Sequence, residues 1–231
     1  MNDASRLLDA AMFAAQRHKD QRRKDAEGSP YINHPLAVAR LLSVEGSISD
    51  TEVLMAALLH DTIEDTETTA QELLALFGER VTGIVLEVTD DKSLPKARRK
   101  ELQIKHASLK STEAALVKIA DKICNLRDVA ASPPADWSTE RRREYFAWAE
   151  QVVSRLPTID IKFRQLFTSA YALMPAALMG AANCTHVTLS RNGSKTHITF
   201  RDHESEKMNR FIGIQQNAGA SITTERGMWI D

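Results

Sequence analysis

The chain has 231 residues, of which 43% are hydrophobic and 26% are charged, a composition typical of a soluble globular protein. Its 30 basic residues are balanced by 31 acidic ones, so no global positive field would draw it to nucleic acid or to a membrane. Two cysteines do not make a disulfide framework, and the N-terminus lacks an apolar signal segment, so the sequence predicts a cytoplasmic protein.

The first two predicted helices lie on either side of a basic loop. Residues 5–18 carry apolar side chains at helical spacing, with Ser5 as the expected cap. A second short helix is predicted over residues 36–42. Pro35 suits the first turn of that helix, which places His34 at its entrance.

The most apolar predicted helix covers residues 50–65 and ends in a cluster of acid, base and metal-ligand side chains. On a continuous helix, His60 lies one turn before Glu64 and shares a face with it, and Asp61 and Asp65 form a second such pair. Carboxylates beside an apolar core are costly unless charge or hydrogen bonds compensate them. A divalent cation would provide that compensation. A polar last turn on a core helix is the plainer alternative.

Later segments repeat the helical spacing. Gly78 is expected to end a fourth helix. A helix predicted over residues 112–126 carries Asp121 inside its apolar stripe, where an aspartate needs a cation or a hydrogen-bonding partner. No strand pattern precedes residue 182, so residues 1–175 are predicted to form an all-α helical bundle.

Residues 176–231 follow a different pattern. Two stretches of alternating apolar and polar residues flank Asn192-Gly193, which is a hairpin turn signal. Residues 205–218 have helical spacing, and a third strand is expected over residues 222–230. We therefore predict a small α+β appendage of ββαβ order. A homo-oligomer joined through this appendage stays open, because an open sheet edge can pair with a second chain.

Four candidate metal ligands come from three separate predicted segments: His34, His60, Asp61 and Asp121. Two imidazoles and two carboxylates form a nitrogen and oxygen set that suits Mn²⁺, Fe²⁺ or Zn²⁺, with positions left for water. The lack of thiolates in this set argues against a closed structural zinc site. Glu64 and Asp65 follow these ligands along the chain and could orient a water or transfer protons.

Longer motifs surround these residues in a fixed order along the chain. They are Gln21–Asp25, Pro30–Pro35, His60–Thr66 and Ala120–Asp128, together with Asp91–Lys96 and Trp137–Phe146. On these motifs the sequence resembles the RelA/SpoT-type HD-domain (p)ppGpp hydrolases. It is most similar to their single-domain branch, the small alarmone hydrolases that include the metazoan SpoT homologue. The resemblance covers roughly residues 5–160.

The resemblance implies metal-dependent removal of the 3′-pyrophosphate of (p)ppGpp, which gives GDP or GTP and pyrophosphate. It implies one Mn²⁺ ion, with Zn²⁺ or Fe²⁺ as alternatives, held by His34, His60, Asp61 and Asp121. Glu64 and Asp65 match the catalytic acidic pair. The residues that match substrate contacts are Arg23, Lys24 and Asn125 on the nucleoside side, and Lys96, Arg141 and Tyr145 on the phosphate or ribose side.

Three alternatives stay open on the sequence alone. One is removal of the 2′-phosphate of NADPH, an activity associated with the metazoan branch. The second is another HD-domain nucleotide phosphohydrolase. The third is a degenerate HD domain that senses alarmones without cleaving them, and the retention of all six metal and acidic residues argues against it. Residues 176–231 are too few for a synthetase domain, so alarmone synthesis is not expected.

Overall fold

The computed structural model describes residues 2–157, 160–174, 183–191, 194–201, 208, 211–212 and 221–228. The chain divides into two compact units, Met1–Leu178 and Met179–Asp231. The first unit is helical and the second contains a small antiparallel sheet, which confirms the predicted fold class.

The helices of the first unit are numbered α1 to α10. Their bounds are Asp3–Arg17 (α1), Asn33–Arg40 (α2), Thr51–Leu59 (α3), Thr62–Asp65 (α4), Ala70–Phe77 (α5), Glu79–Val88 (α6), Lys96–His106 (α7), Thr112–Ala131 (α8), Thr139–Ser154 (α9) and Ile161–Tyr171 (α10). A π-helical turn, Leu41–Glu45, extends α2, and a 3₁₀ turn, Ala107–Leu109, follows α7. None of the described helices combines the length and apolar character that crossing a membrane requires.

Helices α3 and α8 form the centre of the helical core. Every residue of α3 from Val53 to Leu59 is buried, because a helix that is apolar on all sides must be covered on all sides. Helices α1, α2 and α6 pack against α3, and α10 packs against α8. Full burial of a side chain such as Leu59 contributes roughly 1.5–3 kcal/mol. The core therefore fixes the end of α3 and the middle of α8 in space.

Side-chain caps define the starts of six of the described helices, among them α1 and α5. Asn2 caps α1, since its Oδ1 accepts the backbone N–H of Ser5 at 2.8 Å, and the prediction of Ser5 as the cap is wrong. Thr69 caps α5 through its hydroxyl oxygen. Gly78 ends α5 with φ of 85°, a conformation that glycine adopts without the steric cost of a Cβ. The predicted end of this helix is confirmed.

The largest departure from the predicted helices is a break at His60 and Asp61. The helix predicted over residues 50–65 is two helices, α3 and α4, joined by a turn at these residues. The Thr62 hydroxyl donates to the Leu59 carbonyl at 2.7 Å and so satisfies an acceptor at the end of α3. Consecutive side chains on a continuous α-helix point about 100° apart. The break lets the His60 and Asp61 side chains approach each other, and His60 Nε2 lies 3.1 Å from Asp61 Oδ2.

The second unit contains a three-stranded antiparallel sheet in the order β2-β1-β3. The strands are Asn183–Arg191 (β1), Ser194–Arg201 (β2) and Ser221–Met228 (β3). Arg191 pairs with Ser194, and the predicted hairpin turn between them lies outside the described residues. Most of the helix predicted over residues 205–218 also lies outside them. Within it, residues 208, 211 and 212 are helical.

Candidate metal centre and active site

Three buried side chains from three helical segments meet inside the first unit. His34 lies in the first turn of α2, His60 ends α3, and Asp121 lies in the middle of α8. Each offers a ligand atom within 4.8 Å of the other two. Their exposed fractions are 3%, 5% and 8%, and His34 Nε2 lies 3.2 Å from Asp121 Oδ1. This cluster of nitrogen and oxygen donors can hold a divalent metal ion.

The hydrogen bonding of His60 supports a cation at this cluster. Its Nδ1 donates to the Ala57 carbonyl at 2.7 Å, so Nε2 is the nitrogen with the free lone pair. Within the described part of the chain, Nε2 is buried and has no hydrogen-bond partner. Asp61 Oδ2 lies 3.1 Å from it, at ion-pair distance. A buried lone pair without a partner is unfavourable, and a metal ion would relieve it.

Asp61 lies beside the cluster, against both histidines. Its Oδ2 accepts a hydrogen bond from Tyr31 Oη at 2.6 Å and lies 4.0 Å from His34 Nε2. Burial opposes ionisation of Asp61, but the neighbouring His60 holds its pKa well below the usual range. Burial likewise opposes protonation of His60, and the Asp61 carboxylate raises the pKa of His60 to about 9, so in the absence of a metal ion Nε2 takes up a proton instead. The cluster thus attracts positive charge, which is what cation binding requires.

Asp121 is held by cationic and amide partners on its own helix. Lys122 Nζ donates to Asp121 Oδ2 at 3.0 Å, and the Asn125 side-chain amide donates to Oδ1. Burial opposes ionisation of Asp121, but Lys122 and His34 hold its pKa well below the usual range. Lys122 Nζ also lies 4.4 Å from the centre of the Trp148 ring. These contacts fix the carboxylate in its ionised form.

Glu64 is held from two sides in α4. The backbone N–H of Asp90 donates to Glu64 Oε2 at 3.1 Å, and Arg99 Nη1 donates to Oε1 at 3.3 Å. Burial raises the pKa of Glu64 to about 7. A carboxyl group with such a pKa can both accept and donate a proton near neutral pH. The other acidic residue of the pair, Asp65, forms an ion pair with Lys92.

Two clefts lie next to these acidic residues. The larger cleft, about 540 Å³, is lined by His34 and Asp65 and by four of the predicted substrate-binding residues, which are Arg23, Lys24, Asn125 and Tyr145. The smaller cleft, about 210 Å³, is lined by Glu64 and by the remaining predicted residues, Lys96 and Arg141. Trp137 and Tyr145 line both clefts. The structure therefore places every predicted substrate residue in the lining of one of these two clefts, and the larger cleft reaches the metal cluster at His34.

Positive charge gathers around the smaller cleft. Burial lowers the pKa of Lys96, and the nearby charges of Arg141 and Lys24 lower it further. Burial also lowers the pKa of Lys100, with a contribution from Lys96. A concentration of cations that repel one another favours an anionic ligand between them.

Two contacts of this site are not visible in the sequence. Tyr31 reaches Asp61 across 30 positions of the chain, and Arg99 reaches Glu64 across 35. Contacts of this kind depend on helix packing, which periodicity does not reveal. Lys122 is different, because its position directly after Asp121 was a usable signal.

The comparisons with known proteins agree with this geometry. A family model described as HD domain matches residues 10–150. A guanosine-3′,5′-bis(diphosphate) 3′-pyrophosphohydrolase from Xenopus tropicalis, MESH1, is 59% identical over 155 residues, which cover 67% of this chain and 87% of that protein. The human MESH1 protein is 56% identical over 155 residues with the same coverage. The solved structure of a metazoan ortholog of SpoT that hydrolyzes ppGpp is 45% identical with a TM-score of 0.70, and the match covers 72% of this chain and 94% of that one.

Proposed function

The chain belongs to the HD-domain family, in the branch of the MESH1 proteins, and from this membership we propose that it removes the 3′-pyrophosphate of ppGpp and pppGpp. The reaction breaks the O3′–P bond, adds one water and releases GDP or GTP together with pyrophosphate. The observation that carries the proposal is the buried cluster of His34, His60 and Asp121. It adjoins the larger cleft at His34, and the smaller cleft beside Glu64 is lined by cationic side chains suited to phosphate.

In this proposal His34, His60, Asp61 and Asp121 hold one Mn²⁺ ion, and Zn²⁺ or Fe²⁺ would suit the same donor set. A bound divalent metal stabilises charge on the phosphoryl group and lowers the pKa of water. Glu64 acts as the acid–base group, taking a proton from the attacking water or giving one to O3′ as the bond breaks. Asp65 lies next to it and orients the water.

We assign the guanosine to the larger cleft. The Arg23 guanidinium lies 5.8 Å from the centre of the Tyr31 ring and forms an ion pair with Asp128. A guanidinium plane held in this way can stack on a nucleobase. Lys24 and Asn125 line the same cleft, and we assign them to the nucleoside as well. Phosphate or ribose contacts are assigned to Lys96, Arg141 and Tyr145.

Replacing Arg23 with alanine is expected to raise KM for ppGpp about tenfold with little change in kcat, because it removes binding that substrate and transition state share. Steady-state kinetics on purified protein measure both constants. Arg40→Ala is the matched control, since Arg40 is exposed on α2 and lines neither cleft. An unchanged KM for the Arg23 variant would place the base elsewhere.

A substrate panel tests the proposed function. The full chain is incubated in the presence of Mn²⁺ with one substrate at a time. The substrates are ppGpp, pppGpp, NADPH and a deoxynucleoside triphosphate. We expect the highest kcat/KM for the two alarmones. A higher kcat/KM for NADPH, with release of orthophosphate, would replace the proposed substrate with the 2′-phosphate of a dinucleotide.

We propose that the second unit, Met179–Asp231, is structural and contributes no catalytic group. Each residue assigned above lies in the first unit. The match to the solved metazoan relative covers 94% of that protein but 72% of this chain. That relative hydrolyzes ppGpp although over a quarter of the present chain has no counterpart in the match.

Truncation after Pro175 is expected to leave Mn²⁺-dependent hydrolysis of ppGpp with kcat close to that of the full chain. Circular dichroism and metal analysis establish that the shortened protein is folded and loaded, and light scattering compares the masses. A fall in oligomeric mass would place a subunit interface in the second unit. A folded, metal-loaded truncation without activity would show that this unit completes the active site.

A further inference from the structure

Arg99 on α7 is a cation that lines the smaller cleft, and the proposed function assigns it no contact with the substrate. One edge of its guanidinium faces Glu64, with Nη1 donating to Oε1 at 3.3 Å. Its Nε is buried and, among the residues that the structure describes, has no hydrogen-bond partner. An arginine presents five N–H donors in one plane. Arg99 therefore holds Glu64 while at least one of its donors is unused.

The surroundings of this unused donor indicate what would satisfy it. Trp137 Nε1, which lines the same cleft, is also buried and without a partner among the described residues. One unpaired buried acceptor, Gln103 Oε1, belongs to the same lining. The unpaired donors outnumber it and indicate a ligand that brings acceptors. The described lining contains four cationic side chains, Lys96, Arg99, Lys100 and Arg141, against two carboxyl groups, Glu64 and Asp90. The missing acceptor is accordingly an anion.

The Glu64 carboxylate depends on Arg99 for its orientation. The Asp90 N–H holds Oε2, and Arg99 holds Oε1. Asp90 is itself fixed, because the Gln103 amide donates to its carboxylate. Lys118 Nζ donates to the Val88 carbonyl at 3.0 Å, which anchors the end of α6 two residues before Asp90. With one oxygen anchored to this rigid loop, the contact from Arg99 sets the rotation of the carboxylate.

We propose that Arg99 links the acid–base group to the substrate, because it positions Glu64 through Nη1 and donates to a phosphate oxygen through its remaining N–H groups. This inference rests on the proposed function and deepens it, since it adds a residue that couples substrate charge to the orientation of Glu64. The ligand of the smaller cleft is a diphosphate group. It is either the 5′-diphosphate of the nucleotide or the pyrophosphate that is released.

Arg99→Gln is the central variant. Loss of a hydrogen bond to a charged group predicts a fall in kcat and a rise in KM, each about 10- to 100-fold. Arg99→Lys keeps a point charge but not the planar guanidinium. We therefore expect its KM to lie closer to that of the unsubstituted chain than its kcat does. Arg98→Gln is the control, because Arg98 is 52% exposed and pairs with Glu101 on the same helix.

A double-mutant cycle separates positioning from general damage. In the Glu64→Gln background, Arg99→Gln should change kcat by less than about twofold, because the carboxylate that Arg99 positions is already gone. The rise in KM should persist, since it comes from the phosphate contact. If the two substitutions lower kcat additively, Arg99 does not act through Glu64 and the positioning role is overturned.

Binding of inorganic pyrophosphate tests the phosphate contact without catalysis. Calorimetry on the metal-free full-length chain should show binding that Arg99→Gln weakens about tenfold and Arg98→Gln does not. No measurable binding by the unsubstituted chain would overturn the phosphate contact, as would equal binding by the Arg99 variant. KM of the Arg99→Gln variant for ppGpp and for guanosine 3′-diphosphate then shows which diphosphate Arg99 contacts. A rise in KM for ppGpp alone assigns the contact to the 5′-diphosphate, which guanosine 3′-diphosphate lacks. A chain that binds pyrophosphate through Arg99 but cleaves no ppGpp would contradict the proposed function alone.

Discussion

Replacing Asp121 with alanine is expected to abolish metal binding and turnover together. Asp121 is one of the two carboxylates of the proposed ligand set, and its ligand atom lies within 4.8 Å of those of both His34 and His60. Without it, Asp61 is the one carboxylate left in the set to balance the charge of a divalent cation. Metal content measured by mass spectrometry after gel filtration, together with ppGpp hydrolysis, checks both losses.

The same substitution is expected to lower the free energy of unfolding by about 3–5 kcal/mol, because it leaves a buried charge without its partner. That charge is Lys122, whose side chain is 4% exposed and donates to Asp121 at 3.0 Å. Asp121→Asn keeps the shape of the side chain and separates the effect on stability from the effect on metal binding. We expect this variant to be more stable than Asp121→Ala and still to lose the metal. Glu113→Gln, near the start of α8 and paired with Arg80, is the control. Retained activity in chelator-treated Asp121→Ala protein would exclude the site.

Replacing Glu64 with glutamine is expected to cut turnover about 10²- to 10⁴-fold while metal content stays normal. Its two oxygens are oriented by the Asp90 N–H and by Arg99, and Glu64 is not among the described residues whose ligand atoms meet in the buried cluster. The amide keeps the volume of the side chain but cannot exchange a proton near neutral pH. Single-turnover kinetics with metal-loaded protein measure the chemical step directly.

Glu67→Gln is the matched control for this prediction, since Glu67 is an exposed acidic residue just past α4. It should change neither metal content nor kcat. Loss of metal together with activity in the Glu64 variant would make Glu64 a ligand rather than an acid–base group. The roles assigned to the two kinds of carboxylate would then have to be exchanged.

The helical bundle could be predicted from the sequence because its signals are local. Apolar residues at helical spacing and a glycine after α5 are visible in short windows, and they led to helices close to those observed. The antiparallel hairpin was equally local, since its turn and alternation lie within 20 residues. The third strand pairs with β1 across more than 30 positions, so its partner strand could not be predicted from a local pattern. Its observed start, Ser221, lies one residue before the predicted one.

The break between α3 and α4 could not be predicted from spacing. The apolar pattern continues into His60, so the pattern alone favours one helix over residues 50–65. What ends α3 is a local hydrogen bond from Thr62 and a long-range one from Tyr31 to Asp61. The prediction that His60 and Glu64 share one helical face assumed a continuous helix, whereas His60 lies in the break and Glu64 lies in α4. The choice of these residues as site candidates did not depend on it.

The site residues were found by motif rather than by periodicity. The pattern of His60-Asp61 and Asp121 is visible in the sequence, and the structure brings these residues together. The residues that hold them are harder to identify, because their contacts cross the helical core. Arg99 lies in a basic helix, and basic helices usually present a solvated face. Its contact with Glu64 depends on the packing of two helices and could not be predicted from the sequence.

Metal-dependent hydrolysis of ppGpp is tested most directly by product analysis on metal-depleted protein to which Mn²⁺ is added back. We expect no hydrolysis of ppGpp before the addition. After it we expect one GDP and one pyrophosphate for each ppGpp consumed, resolved by ion-exchange chromatography. A folded, Mn²⁺-loaded chain that leaves ppGpp intact, or that releases orthophosphate in place of pyrophosphate, would contradict this expectation.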